Sequence, residues 1–350
     1  MALFLFGLLP GYLPLPEVQM WGWWIKQILT PIIAVVGIVG NSMSFIVMKS
    51  KALRNKSYSH YLCSLAVFDS LTLIGREILM ADELRQHMGM PSLFLGFPDN
   101  ACKAYKFCEH LCYLMSSWLI VAMAFERIVA VFFPFKKTSF CNQKVGVTLI
   151  VSMVIVLSCT QLFRPMMVVN SDGLCRARDD FNLIYIQLHT FLYQITLIFT
   201  LPTLLVLLCN GLILYKIHEI RKATRDYSAT ATTTTTTSTR LTHGSGPQHK
   251  TTFMLLVISF THVVLILPLI ALTLTILVVT KRGGMDGARF LYAMKPYGDV
   301  LEVISELNYG VNFFIYVISG KSFRRELRKL FASERRHVFS SIRTRDTNSR

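Results

Sequence analysis

Residues 254–280 read MLLVISFTHVVLILPLIALTLTILVVT and contain no Asp, Glu, Lys or Arg. A helix that crosses a bilayer needs about 20 mostly apolar residues, each rising about 1.5 Å along the axis. This stretch is therefore predicted to be a transmembrane helix, and it sets the pattern to look for in the rest of the chain.

Six further stretches are apolar enough to be spans of the same kind. Three of them lack charged residues, at 27–48, 146–163 and 182–215, and three carry a few, at about 57–79, 105–133 and 297–320. Ionisable residues inside a span usually face the interior of a bundle. The sequence therefore predicts an all-α membrane protein, a bundle of seven transmembrane helices.

The composition excludes the main alternatives to a membrane protein. Of the 350 residues 53% are hydrophobic and 16% charged, against about 25% charged in an average soluble domain. A single soluble core would need a more charged surface, and a disordered chain would be less hydrophobic.

The net charge of +16 suggests nucleic acid binding, but its distribution points to a membrane. If the C-terminus is cytoplasmic, the inner segments hold 23 of the 36 Lys and Arg and 5 of the 20 Asp and Glu. Cytoplasmic loops carry this excess of positive charge. We therefore expect a multi-pass plasma membrane protein with its N-terminus outside, in contact with membrane lipid and not with nucleic acid.

The predicted organisation has three parts. Residues 1–26 form an extracellular N-terminus without the basic start of a signal peptide, and residues 27–320 form the bundle. A low-complexity inner loop is expected at 219–250, where residues 230–239 are rich in Thr. Residues 321–350 are expected to form a short amphipathic eighth helix and a cytoplasmic tail.

Short motifs occur in order along the spans. They are Gly40-Asn41 in span one, LAVFD at 65–69 in span two, ERIVAVFFP at 126–134 at the end of span three, Pro202 and Pro268 in spans five and six, NFFIY at 312–316 in span seven and FRREL at 323–327 beyond it. Together they resemble the motifs of rhodopsin-like (class A) G-protein-coupled receptors over nearly the whole chain. LILP at 265–268 departs from the family's CWxP, and NFFIY from its NPxxY. In these two departures the chain resembles the invertebrate neuropeptide receptors, including the FMRFamide type.

The resemblance implies a receptor, not an enzyme, that binds an extracellular ligand and activates a heterotrimeric G protein. It also implies that an arrestin and a receptor kinase act on the serines and threonines of the tail. Glu126 and Arg127 would form the resting lock of the G-protein switch, together with Asn312 and Tyr316. A simpler interpretation is that Glu126 and Arg127 only extend towards the membrane interface.

Asp69 lies in the middle of span two, where an unpaired charge is costly. The resemblance implies an allosteric sodium ion there, with oxygens from Asn41, Ser116, Asn308 and Asn312. The alternative is a protonated, hydrogen-bonded Asp69 with no ion, and no other cofactor is expected. The resemblance further implies a disulfide between Cys102 and Cys175.

Three carboxylates lie in the half of the bundle expected to be outermost. Glu109 is 18 residues before Arg127, or five helical turns, and Glu302 and Glu306 share a face of span seven. Their predicted partners within the chain are Arg76 and Arg164. Because two arginines would leave at least one carboxylate free, we expect a basic peptide ligand, with Tyr113 stacking on its guanidinium.

Other functions remain open at this point. A seven-span transporter or channel would also bury acidic residues, although it has no need of Glu126 and Arg127 beside an inner loop. An amine receptor usually has Asp where this chain has Glu109. A retinal-binding receptor needs a lysine at mid-depth in span seven, and Lys295 lies too near the outer end.

Overall fold

The computed structural model describes residues 20–171, 173–231, 247–282 and 285–332. Within these ranges the long helices are α1 (Trp21–Met48), α2 (Ser57–His87), α3 (Asp99–Phe132), α4 (Gln143–Cys159), α5 (Leu201–Ala231), α6 (Pro247–Arg282) and α7 (Met285–Gly310). Three parts of the predicted organisation lie outside the described residues: residues 1–19 of the N-terminal segment 1–26, most of the Thr-rich stretch, and the tail 333–350.

Shorter elements connect these helices. Two helical turns, Pro134–Lys136 and Lys137–Phe140, precede α4, and a short helix, Phe163–Met167, follows it. Strands β1 (Val168–Ser171) and β2 (Leu174–Ala177) come next. The turns Asp179–Phe181 and Asn182–Gln187 and a π-helix, Leu188–Thr200, lead into α5. Helices Asn312–Ser319 and 321–332 follow α7.

The long helices pack as a bundle around α3. Helix α1 packs against α2 and α7, α3 against α2, α4 and α5, and α6 against α5 and α7. By length and composition, five stretches among the described residues qualify as membrane spans: Trp21–Met48, Asp99–Phe132, Gln143–Met167, Ile184–Arg225 and Phe253–Val279. Helices α2 and α7 carry more charge, and they bury it inside the bundle. The predicted seven-transmembrane all-α bundle is confirmed.

Several helices extend beyond their predicted bounds. Helix α1 begins at Trp21, not at residue 27, and α7 begins at Met285, not at 297. The prediction for span one stopped at Lys26, because that span was drawn as a run without charged residues. Helix α5 continues to Ala231, so it enters the segment predicted as a low-complexity loop.

Glycines bring the backbones of α1 and α7 close together. A Cβ atom added to Gly37 would lie 3.0 Å from the Gly310 Cα atom and 2.6 Å from Leu73 Cδ1. Real Cβ atoms rarely come so close, so the contact requires a residue without a side chain. Helix α1 is therefore seated directly on α7.

A β-hairpin closes one end of the bundle, although the sequence analysis predicted no strands. Strands β1 and β2 are antiparallel, with Asn170 opposite Cys175. The expected disulfide is present: Cys175 is bonded to Cys102 at the start of α3, with the two Cα atoms 5.5 Å apart. We call this the disulfide end of the bundle, and the opposite end, with Arg127, the arginine end.

The expected eighth helix is present at the arginine end. Residues 321–332 form a helix whose Phe323 is buried and contacts the ring of Tyr316 at a centroid distance of 5.5 Å. Arg325 and Lys329 are exposed on its other side. One face is therefore apolar and packed, and the other is basic.

Candidate functional site

A cavity of about 210 Å³ lies among the helices at the disulfide end. Side chains from α2, α3, α6 and α7 and from the π-helix line it. The charged residues in its wall are the carboxylates Glu83, Glu109, Glu302 and Glu306 and the cations Arg76 and Lys106. The carboxylates predicted from the sequence, Glu109, Glu302 and Glu306, therefore converge on one space.

Arg76 is at the centre of this charge cluster. Its Nη2 atom lies 2.6 Å from Glu306 Oε1 and 2.9 Å from Glu302 Oε1, and its Nε donates to Glu306 Oε1 at 2.7 Å. Thr30 of α1 donates to the other Glu306 oxygen at 2.7 Å. Arg76 thus contacts both Glu302 and Glu306, where the sequence analysis expected either one, and both carboxylates are almost completely buried.

Lys26 is a second cation of the cluster, and the sequence analysis missed it. Its Nζ atom lies 3.1 Å from Glu302 Oε2 and 3.7 Å from Glu83 Oε2, and the side chain is 2% exposed. A signal was available in the sequence, because Lys26 is the only charged residue of α1. A lone lysine in an apolar helix needs an acidic partner on a neighbouring helix.

Glu109 has a partner on its own helix. Lys106 Nζ lies 3.0 Å from Glu109 Oε2, and His110 Nδ1 lies 3.7 Å from the same oxygen. Tyr113 lines the cavity one turn further along α3 and contacts the ring of Tyr309 at 6.0 Å between centroids. Glu109 thus faces the cavity while it is paired with a lysine of its own helix.

Two expectations about this cluster are wrong. Arg164 does not join the carboxylates: its guanidinium contacts Gln161, Tyr185 and His189 behind the cavity wall. The second wrong expectation is that a carboxylate is left without a cation. Only arginines were counted as partners, whereas Lys26 pairs with Glu302 and Lys106 with Glu109. The pairing within the chain is therefore more complete than the sequence analysis predicted.

The arginine end contains an ion pair between neighbouring residues of α3. Arg127 Nη2 donates to Glu126 Oε1 at 2.7 Å, and Ser57 at the start of α2 donates to Glu126 Oε2 at 2.9 Å. The guanidinium carbon lies 5.7 Å from the Tyr58 ring centroid. Both members of the pair are buried, so they do not simply extend into the membrane interface.

The family described as "7 transmembrane receptor (rhodopsin family)" matches residues 40–296, which is more than half of the chain. The chain belongs to this family. No curated protein matches the chain. This G-protein-coupled receptor is thus a multi-pass membrane protein. Its family is one of receptors and not of enzymes. The same match argues against the transporter and channel alternatives.

The rhodopsin-family receptor has a polar network in the middle of the bundle. Asp69 accepts a hydrogen bond from Ser116 at 2.6 Å on one oxygen and from Asn312 at 2.8 Å on the other. The Asn312 amide also donates to the backbone oxygen of Asn308 at 3.3 Å. Three of the five residues predicted to hold sodium therefore meet directly.

The other two residues predicted to hold sodium fit less well. Asn41 donates to the backbone oxygen of Tyr309 at 3.0 Å, and its buried Oδ1 has no hydrogen-bond partner among the described residues. The Asn308 side-chain oxygen lies 3.1 Å from His262 Nδ1 and so faces away from Asp69 towards α6. Asn41 therefore offers one unpaired buried oxygen, and the sodium site stays a prediction.

The remaining switch residues lie beside this network. Tyr316 is buried between α7 and the helix 321–332, four residues from Asn312. His262 of α6 is completely buried and joins the network through Asn308. No role had been assigned to His262 from the sequence. Its contact connects α6 to the same network as Asp69.

Proposed function

We propose that this receptor binds an extracellular basic peptide in the cavity at the disulfide end. Binding activates a heterotrimeric G protein at the arginine end. In this proposal the receptor lies in the plasma membrane, with its N-terminus outside the cell and the arginine end in the cytoplasm. The observation that carries this proposal is the charge of the cavity wall. Its four carboxylates exceed its two cations by two formal charges, and by one when Lys26 behind the wall is included.

Glu109 is the best candidate for contact with the ligand. Glu302 and Glu306 are cross-linked to other helices by Arg76 and Lys26, whereas the Glu109 partner is three residues away on the same helix. A ligand guanidinium can replace the Lys106 ammonium, because it offers two parallel hydrogen bonds to one carboxylate. Tyr113 presents a ring to the same space and can stack on that guanidinium.

The size of the cavity favours the end of a peptide over a whole ligand. About 210 Å³ is smaller than the roughly 300–1,000 Å³ of typical small-molecule sites. One or two peptide side chains would fill this space, and the rest of the peptide would contact the hairpin above it. An amine ligand is the second candidate within the family, since it also carries a cation.

At the arginine end, the Glu126–Arg127 pair is the proposed resting lock. In the active receptor Arg127 would leave Glu126 and contact the G protein instead. Arrestin and receptor kinase are proposed to act on the serines and threonines of 333–350, which lie outside the described residues. Asn312 and Tyr316 are proposed to carry the change from the cavity to this end.

The proposal is tested by screening an amidated peptide library against cells that express the receptor, with calcium and cAMP readouts. An active peptide is then compared with its analogue in which citrulline replaces arginine. Glu109→Gln, Glu302→Gln and Glu306→Gln are assayed at matched surface expression, with the exposed Asp179→Asn as the control.

We expect loss of the ligand cation or of Glu109 to lower potency roughly 10²–10³-fold, the effect of breaking a buried charge pair. Asp179→Asn should keep wild-type potency. The basic-peptide proposal is wrong if all three glutamine variants keep it too, or if the active ligand has no cation.

A further inference from the structure

Arg164 is the largest completely buried side chain of the described residues, with 0% exposure. It lies in the short helix Phe163–Met167 at the disulfide end, between α4 and the π-helix that precedes α5. Aromatic rings surround its guanidinium, with the carbon 4.6 Å from the Tyr193 centroid and 5.1 Å from that of Phe163. A permanent cation is therefore held in an apolar environment.

The acceptors that meet this guanidinium are neutral. Nε donates to Gln161 Oε1 at 3.0 Å, and Nη1 donates to the Tyr185 hydroxyl at 3.1 Å and to His189 Nδ1 at 3.0 Å. Among the described residues no carboxylate forms an ion pair with Arg164. Glu109 attracts the guanidinium through space, but it is paired with Lys106 and does not contact Arg164. A buried charge without a contacting anion is costly, so an anion from elsewhere would stabilise it.

Two buried donors point to where that anion would lie. Arg164 Nη2 and Gln161 Nε2 both lack a hydrogen-bond acceptor among the described residues. They belong to neighbouring groups, because Arg164 Nε and Gln161 Oε1 are already joined at 3.0 Å. Gln161 is also 0% exposed. Buried polar groups are nearly always satisfied, so two adjacent orphan donors beside an uncompensated cation indicate a missing acceptor.

We propose that Arg164 and Gln161 form a binding site for a small inorganic anion, with chloride as its occupant. A water molecule would satisfy the donors but leave the charge of Arg164 uncompensated. A carboxylate of the peptide ligand is a less suitable source, because His189 lies in the cavity wall in front of Arg164. The anion therefore stabilises the receptor whether or not a ligand is bound.

The test uses the full-length receptor, purified in lipid nanodiscs without agonist. Thermal unfolding is followed in sodium chloride and in sodium gluconate at the same concentration, so that sodium does not vary. We expect chloride to raise the Tm of the wild type by about 2–4 °C over gluconate, with a saturating dependence on chloride. Bromide should replace chloride, because it differs little in size and carries the same charge.

Gln161→Glu is the decisive variant. It places a carboxylate on the group that already contacts Arg164 Nε, and it should raise the Tm in gluconate and remove the chloride effect. Arg176→Gln, an exposed arginine of the hairpin, should keep the wild-type effect. Arg164→Gln should also remove the effect of chloride on the Tm. If that variant does not fold, the result for Gln161→Glu still tests the proposal.

Equal Tm values of the wild type in chloride and gluconate would overturn the proposal, since the site would then hold water only. A chloride effect that persists in Gln161→Glu would also overturn it, because chloride would be acting elsewhere. If chloride has no effect without agonist but competes with an agonist that carries a carboxylate, the anion is the ligand's and the inorganic site is wrong. None of these measurements requires that the ligand be a basic peptide.

Discussion

The Lys26 ammonium lies 3.1 Å from the Glu302 carboxylate, so the first turns of α1 are tied to the middle of α7. The same ammonium reaches Glu83 of α2 at 3.7 Å. Helix α1 therefore contributes a charge to the cluster at the cavity and is more than a lipid-facing anchor.

Replacing Lys26 by methionine should destabilise the receptor. The change leaves Glu302 buried with one cation fewer, and breaking a buried pair typically costs about 3–5 kcal/mol. Thermal unfolding of the purified receptor would show a lower Tm, whereas Lys51→Met in an exposed position should unfold like the wild type. The double variant Lys26→Met, Glu302→Gln should recover part of the loss. A Lys26→Met receptor as stable as the wild type would contradict the importance of this pair.

Replacing Glu126 by glutamine should raise signalling in the absence of ligand. Glu126 holds Arg127 at 2.7 Å, and a hydrogen bond to a charged group contributes about 1.5–3 kcal/mol, or roughly 10–100-fold in a conformational equilibrium. Ser57→Ala, which removes a hydrogen bond to Glu126, should have a smaller effect in the same direction. The measurement is basal nucleotide exchange on a purified heterotrimeric G protein. Glu219→Gln serves as the control, because it breaks an exposed ion pair of α5 with Lys216. Unchanged basal exchange in Glu126→Gln would count against the lock.

Sodium should lower agonist affinity through Asp69. A cation held by Asp69 and Ser116 would favour the resting bundle, and coupling between two sites typically amounts to about 1–3 kcal/mol, or 5–150-fold in affinity. Agonist binding is measured in sodium and in N-methylglucamine at equal ionic strength. Asp69→Ala should abolish the difference, and a wild type that is insensitive to sodium would exclude the site.

Removing the disulfide should destabilise the disulfide end of the bundle. Cys102→Ser and Cys175→Ser each break the same bond, so both variants and their combination should lose about 2–5 kcal/mol of stability and much of their surface expression. Cys108→Ser changes an exposed free thiol and should behave as the wild type. Peptide mass spectrometry without reduction should link Cys102 to Cys175, and a link from Cys108 would show that the pairing is wrong.

Helix positions could be predicted from the sequence, but partners across helices only in part. Hydropathy identifies each span on its own, and the resemblance to the receptor family implied that Ser116 and Asn312 lie around Asp69, where the structure brings them together. A helical repeat, however, gives only the direction of a side chain around its own axis. The rotation of the neighbouring helix decides which groups meet. Lys26 was missed because it had been placed outside span one.

Arg164 illustrates the same limit. Its depth in the bundle suggested that it would join the carboxylates, but the short helix Phe163–Met167 and the following hairpin turn it towards the π-helix. Neither the hairpin nor the π-helix has a strong sequence signal. The hairpin is only four residues on each strand, and a π-helix has no composition of its own.

The π-helix Leu188–Thr200 makes the receptor sensitive to the length of its chain at this point. An α-helix would span the same turns with fewer residues, so if these 13 residues relaxed to α-helical geometry at unchanged length, everything before them would rotate relative to α5. His189 would then leave Arg164 and the cavity wall together.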